Sequence, residues 1–352
     1  MDWASQLWPL SCCNSKAAEG MAVEIASDAE NDSSAEEPEF RHVKGASTID
    51  LSLLKYESLE WQQKVEALTK RGISLLGLLD FYTTLFVSIP NFHPDRTTTS
   101  QVVRLAVIPT TKPDEGSTQE RDASYATQAA SHSGGHGKVP GVLVTHHWSN
   151  VFSHTVAAIV ADALGFKTYC SVLEHMYTEQ NVESCRKLIL EKGVGDNTYW
   201  LCALSVDQHC TICDSHFGKD SELFPMCSCG REKHWDGPAC EVNKFHHVME
   251  RLRSISPAFR HIVAVDKDFN VFTCAWCLAE IAQGADMGIS QKLQMFSLAA
   301  LFRHRSQLRK LDVRDCQTSV PSDKERRLHM IPHKNAFNTC IREKLLHNEN
   351  GM

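Results

Sequence analysis

From residue 48 onward the chain switches between two hydrophobic periods. Trp61, Val65 and Leu68, then Leu75, Leu78, Leu79, Tyr82 and Phe86, recur at three- and four-residue intervals and predict two helices. Pro90 and Pro94 break that pattern, and residues 99–107 predict a third helix ended by Pro109. After residue 139 short apolar runs begin to alternate with helical periods. Gly141-Val-Leu-Val-Thr145 is such a run, closed by the polar turn His146-His147-Trp148-Ser149-Asn150. Phe152, Val156, Ile159, Val160, Ala163 and Leu164 then share one helical face, with Gly165 placed as a C-cap. The same reading predicts strands over residues 168–173, 199–205, 261–266, 292–296 and 311–313. It predicts helices over residues 181–192, 243–255, 276–281 and 298–308. Ser322 followed by Glu325 reads as a capping box, and Phe337, Ile341 and Leu345 line a closing helix.

Strand–helix alternation over some 200 residues predicts an α/β fold: a mostly parallel sheet with helices on both faces, preceded by a small helical segment. The expected divisions are a polar, acidic tail over 1–45, the helical segment over 46–110 and a Gly-, Ser- and Thr-rich flexible linker over 111–139. The α/β domain runs over 140–352 and carries a Cys-rich insertion at 209–240.

Composition narrows the function classes. A formal net charge of −7 argues against nucleic acid as a partner, because phosphate binding needs a basic field. No secretory leader is expected. The most apolar stretch, residues 73–89, contains Asp80 and reads as a buried helix rather than a membrane span. A cytoplasmic, reducing location follows, in which most of the 14 cysteines are thiols or metal ligands. Trp3, Leu7, Trp8, Leu10, Cys12 and Cys13 leave two readings of the N-terminus, a peripheral acylated membrane contact and an unstructured tail. Asp2 stands where myristoylation needs glycine.

Chemistry is expected where the carboxyl ends of parallel strands converge. Those ends carry His146 and Trp148, then Asp207, then Asp266 leading into Trp276 and Glu280. Trp276 and Glu280 are four residues apart and share a helical face. Taken alone, Glu280 reads as a solvent-facing carboxylate, Trp276 as a core anchor and Cys277 as a packed core thiol. Trp276-Cys277-Leu278-Ala279-Glu280-Ile281 resembles the Trp-Cys-Leu-x-Glu-Leu motif of plant-type Toll/interleukin-1-receptor (TIR) domains. It is also similar to the Trp-x-Leu-x-Glu motif of the related heterokaryon-incompatibility (HET) domains. Trp200-Leu-Cys202-Ala-Leu-Ser205-Val-Asp207-Gln208 resembles the earlier HET strand Trp-Ile-Asp-x-x-Cys-Ile-Asp-Gln, departing at Cys202 and Ser205. Val142-Leu-Val-Thr145-His146 resembles the opening TIR strand.

The resemblance implies a flavodoxin-like sheet, self-association and an intracellular signalling role. It also implies NAD as substrate, with Glu280 as the catalytic carboxylate for cleavage of the nicotinamide–ribose bond. Trp276, Trp148, His146 and Asp207 would line the pocket. A non-catalytic assembly module remains the alternative.

The insertion carries its own signal. Cys210-x-x-Cys213 and Cys227-x-Cys229-Gly230 present thiolates in pairs, and Zn²⁺ takes four such ligands. Cys210, Cys213, Cys227 and Cys229 form the simplest set, with Cys240, His216 or His234 as substitutes. Ordinary thiols and a disulfide remain the other readings.

Overall fold

The computed structural model describes residues 58–113, 123–132, 137–214, 224, 226–318 and 321–347. The expectations for the acidic tail, the Trp3–Cys13 anchor and His216 lie outside these residues. The architecture is α/β: a five-stranded mixed sheet, mostly parallel, ordered β1-β3-β2-β4-β5. The strands are β1 (Ile73–Ser74), β2 (Val142–Thr145), β3 (Thr198–Leu201), β4 (Arg260–Val265) and β5 (Ser290–Met295). β2 pairs in parallel with β3 and β4, and β4 with β5, while β1 closes one edge antiparallel to β3.

The longer helices are α1 (Leu59–Leu68), α2 (Leu75–Ser88), α3 (Tyr125–His132), α4 (Phe152–Ala163), α5 (Glu179–Glu191), α6 (Phe245–Ile255), α7 (Ala275–Asp286), α8 (Leu298–Leu308), α9 (Pro321–His329) and α10 (Lys334–His347). Strand alternation divides them between two layers. Val142, Val144, Tyr199, Leu201, Ile262 and Ala264 face the core shared with α2, α4 and α5. On the opposite face, Leu143 and Trp200 pack with α1 and α6, and Val263 and Val265 with α7, α8 and α10. The apolar runs are continuous because the sheet is buried on both sides.

The helical segment before the sheet is an integral part of it. It supplies β1, and the Gly72 N–H donates to Lys138 O at 2.7 Å. The Arg71 guanidinium clasps the Glu241 carboxylate through both terminal nitrogens at 2.6 and 2.8 Å. Arg71 is 3 % exposed and Glu241 1 %, so breaking the pair would leave a charge stranded in the interior. Within residues 111–139, expected to be a linker, α3 forms, and the Ala123 N–H donates to Asp207 Oδ2 at 3.2 Å.

Some elements differ from expectation for identifiable reasons. The helical stretch from Thr99 does not stop before Pro109; a π-turn over Val103–Val107 precedes it. A widened turn relieves the clash and missing donor that a mid-helix proline brings. Residues 168–173 give only an isolated bridge from Thr168 to Met295, followed by a helical turn at Cys170–Leu173. β3 ends at Leu201, whose N–H is captured by the Ser205 hydroxyl at 3.2 Å, folding Cys202–Ser205 into a turn. Residues 313–315 form a 3₁₀ turn capped by Asp312 rather than a final strand. Among the described residues, no helix is long and apolar enough to cross a membrane.

Candidate functional site

Two clusters of chemical groups stand out. The first lies where β2 ends. Along the order β3-β2-β4-β5, the chain moves from β2 to one side and then returns to the other, so the crossover falls between β2 and β4. α7 follows β4 and lies over this point. Its Glu280 carboxylate accepts a hydrogen bond at Oε2 from the Thr145 hydroxyl, the last residue of β2.

Thr145 is itself held from below. Gln291 Nε2 donates to Ile281 O and to His261 Nδ1, both at 2.9 Å. With Nδ1 an acceptor, the ring proton sits on Nε2 and is donated to Thr145 Oγ1 at 2.7 Å. The Thr145 hydroxyl proton is then free to point at Glu280. A directed chain, Gln291 to His261 to Thr145 to Glu280, therefore ends on the carboxylate. β4, β2 and α7 can approach closely enough for it because position 284 is glycine. A Cβ there would lie 2.4 Å from Gln291 Nε2 and 2.9 Å from His261 Nδ1.

Electrostatics follow from this burial. Glu280 is partly exposed as a residue, but its carboxyl is turned inward onto buried Thr145. Loss of water raises its pKa to about 8, against the lowering effects of the Thr145 hydroxyl and Arg327. Burial likewise holds His261 neutral, down to about 3, and His146 down to about 4.

His146 and Trp148 gather beside this group. The Cys277 thiol donates to His146 O at 3.4 Å, and Cys202 Sγ lies 3.8 Å from His146 Nε2. The Trp148 indole N–H donates to Cys202 Sγ at 3.3 Å. Burial and the nearby Glu280 push the Cys202 thiol up to about 12. Trp276 is on the same helix but is not an open ring. The Arg327 guanidinium of α9 lies over it, 3.3 Å from the centroid, and Phe245 packs edge-on at 6.3 Å. Two open surface grooves lie elsewhere. One runs along α1 by Glu66 and Arg251; the other is at the amino ends of β2 and β4, by Gly141 and Arg260.

Asp207 is committed to the second cluster. Its carboxylate pairs with Arg231 at 2.7 Å and accepts from the His209 N–H at 2.9 Å. The Asp266 carboxylate is likewise occupied, accepting three backbone N–H bonds from Asp268, Asn270 and Val271 in its own loop.

In this second cluster, one ligand atom each from His209, Cys213, Cys227 and Cys229 lies within 4.8 Å of all the others, a set that can hold a metal ion. Cys213 Sγ and Cys229 Sγ are 3.6 Å apart, as are Cys227 Sγ and His209 Nδ1. Tetrahedral thiolates at about 2.3 Å from a zinc ion are roughly 3.8 Å apart, so the spacing suits one ion. Cys210, expected in the set, turns away and places its thiol 3.5 Å from Asp207 Oδ2; His209 takes its place.

The orientation of His209 is fixed from outside the cluster. Thr111 Oγ1 donates to Val107 O at 2.8 Å and lies 3.1 Å from His209 Nε2. Its proton is spent on Val107, so it accepts from Nε2–H. Nδ1 is thereby left as the bare lone pair, facing Cys227. Gly230, at φ +68°, permits the turn that brings Cys227 and Cys229 to the same point.

Sequence reasoning missed Thr145, His261, Gln291, Arg327 and His209. Only Gly284, unfavourable inside a helix, carried a signal that something packs closely there. Protein-family models, curated proteins and solved structures were each compared with the chain, and none matches it.

Proposed function

We propose that this chain is a TIR/HET-like signalling protein whose α/β domain binds NAD and cleaves its nicotinamide–ribose bond with Glu280. One observation carries this reading. The Glu280 carboxyl is hydrogen-bonded to Thr145 at the carboxyl end of β2, where the strand order reverses and open α/β sheets bind ligands. The parallel order β3-β2-β4-β5 also supports the flavodoxin-like arrangement that the resemblance implies.

Cleavage leaves positive charge on the ribose as neutral nicotinamide departs. A carboxylate beside the sugar stabilises that charge, and the Thr145 hydroxyl holds it in place. The resting carboxyl is mostly protonated at neutral pH. Approach of the cationic nicotinamide ribose favours its ionised form, and His146 and Trp148 follow Thr145 directly at the same strand end.

The second reading, a non-catalytic self-associating module, is favoured by the Arg327 lid over Trp276, which covers part of this face. Nicotinamide release by concentrated full-length protein, compared with Glu280→Gln, separates the two. Release that the substitution abolishes, with the fold intact by circular dichroism, supports catalysis. No release from either protein, with assembly intact, favours the module. For catalysis by ionised Glu280, kcat/KM rises as pH passes through about 8.

We further propose that His209, Cys213, Cys227 and Cys229 hold a structural zinc ion. Zinc suits three thiolates and an imidazole with no open position, and it would give the insertion a shape that its few apolar residues cannot.

A further inference from the structure

The face of α7 that carries Glu280 runs one turn further to Gln283, where strong hydrogen-bond donors outnumber good acceptors. Trp276, Glu280 and Gln283 stand at i, i+4 and i+7, so they share one helical face. α9 lies against it and sets Arg327 on the Trp276 ring. We propose that Gln283 and Arg327, with Met330 as a movable plug between them, form an oxyanion subsite that takes the diphosphate bridge of a dinucleotide. The choice of a dinucleotide rests on the NAD reading; the oxyanion subsite does not.

Three observations carry the assignment. First, Arg327 is a buried cation without a counter-ion. It is 6 % exposed, yet it makes no ion pair among the described residues, and its Nε is buried without a hydrogen-bond partner. Asp323 and Glu280 act on it through space, but neither pairs with it. A guanidinium taken out of water is stabilised best by an oxyanion that accepts two of its N–H groups side by side. Second, two donors converge on one poor acceptor. Gln283 Nε2 donates to Met330 Sδ at 3.4 Å, and Arg327 Nη1 donates to the same sulfur at 3.5 Å. A thioether accepts only weakly, so an oxygen anion in its place would satisfy both donors better and reach the orphaned Nε as well. Third, the point is reachable. Met330 is half-buried in the turn that ends α9, while Gln283 behind it is buried. Its unbranched side chain can rotate outward about its own bonds and open a way from solvent to both donors, with α9 left in place.

The donor set also selects the ligand. Arg327 Nε and Nη1 with Gln283 Nε2 make three N–H donors, which match the three acceptor oxygens of a phosphoryl group better than the two of a carboxylate. The Trp276 ring beneath the guanidinium holds its plane. Gln283 is three residues beyond Glu280, about 4.5 Å along the helix axis. In NAD the diphosphate is joined to the same ribose whose bond to nicotinamide is cut. A phosphoryl group held at Gln283 and Arg327 would therefore bring that ribose towards Glu280.

Inorganic pyrophosphate and ADP-ribose are the probes, titrated calorimetrically into the full chain at one ionic strength. The wild type should bind both. Arg327→Lys keeps the positive charge but loses the planar fork, and it should bind each at least fivefold more weakly. Gln283→Leu keeps the shape, loses the donor and should do the same. Met330→Ala removes the plug and should bind at least as tightly as wild type, whereas a purely structural role for this corner predicts a loss. Failure of wild type to bind pyrophosphate, unchanged binding in both Arg327→Lys and Gln283→Leu, or a loss in Met330→Ala as large as theirs would each overturn the subsite. If the two weakening variants lose pyrophosphate but keep ADP-ribose, the dinucleotide assignment falls. Nicotinamide release is followed separately on the same proteins. Its absence from wild type, with pyrophosphate binding still sensitive to Arg327 and Gln283, would sink the cleavage reading and support the oxyanion subsite on its own.

Discussion

At the scale of the residue, the site turns on one carboxyl held out of water. An ordinary glutamate ionises near 4.5, whereas Glu280 keeps its proton to about 8. Between those values the folded chain binds a proton that the unfolded chain has lost. The contribution of this group to stability is therefore complete below pH 4.5, and it falls as pH rises to about 8. Glu280→Gln keeps the shape and the acceptor for Thr145 but cannot ionise. Urea unfolding should show it within about 0.5 kcal/mol of wild type at pH 4 and more stable by about 1–3 kcal/mol at pH 8.5. Equal stability at both values would mean that Arg327 and Thr145 fully offset the buried charge. Thr145→Val tests the same contact from the other side. It removes the hydroxyl, leaves both His261 Nε2 and Glu280 Oε2 without their partner, and should destabilise by about 1–3 kcal/mol at neutral pH.

At the scale of the element, close approach decides what the site can be. In an isolated helix Gly284→Ala would be favourable by about 1 kcal/mol. Here the added Cβ meets Gln291 and His261, the first two links of the chain to Glu280, so the helix must lift from the sheet. The expected result is a net loss of about 1–3 kcal/mol in thermal or urea unfolding, where a surface glycine would show a gain. The sequence made such elements legible only in part. Residues 298–308 were readable as a helix to the residue, since the apolar period is strong and Ser297 caps it at Ala300 N. Trp276 and Glu280 were readable as one helical face because spacing alone dictates it. The partners across the sheet were not, because nothing local says that Thr145, His261 and Glu280 meet. The ligand set failed at one position for a similar reason. Cys210 and Cys213 have zinc-pair spacing, but the 3₁₀ turn at Gln208–Cys210, capped by the Asp207 side chain, aims His209 inward and Cys210 toward Asp207. Arg327 went unread because the helix that carries it over Trp276 begins 45 residues later in the chain.

At the scale of the whole molecule, the metal-ligand cluster lies where distant parts of the chain meet. The helical segment before the sheet reaches the insertion through Thr111 on His209 and through Arg104, whose guanidinium donates to Ile212 O at 2.7 Å. Arg71 on Glu241 ties the same segment to the far end of the insertion. A zinc ion bound by His209, Cys213, Cys227 and Cys229 would thus fasten the insertion to the helical segment at one corner, and Thr111 is the residue that makes His209 a competent ligand. Thr111→Val keeps the volume and removes the hydroxyl. Nε2 then loses the side-chain acceptor that fixes its proton, the proton moves more freely to Nδ1, and the ligating lone pair is lost in that tautomer. Loss of an outer contact of this kind typically lowers metal affinity by about 10–100-fold. Competition with a chromophoric chelator should show that loss in Thr111→Val, while Thr111→Ser, which restores the hydroxyl, should bind within a few-fold of wild type. Chelation of the wild type should lower its unfolding temperature and leave Thr111→Val, already depleted, nearly unmoved. If Thr111→Val and Thr111→Ser lose affinity equally, the methyl group and not the hydroxyl supports the site, and the tautomer argument fails. If zinc is bound with unchanged affinity by Cys227→Ser, the ion sits elsewhere and the corner is held by hydrogen bonds alone.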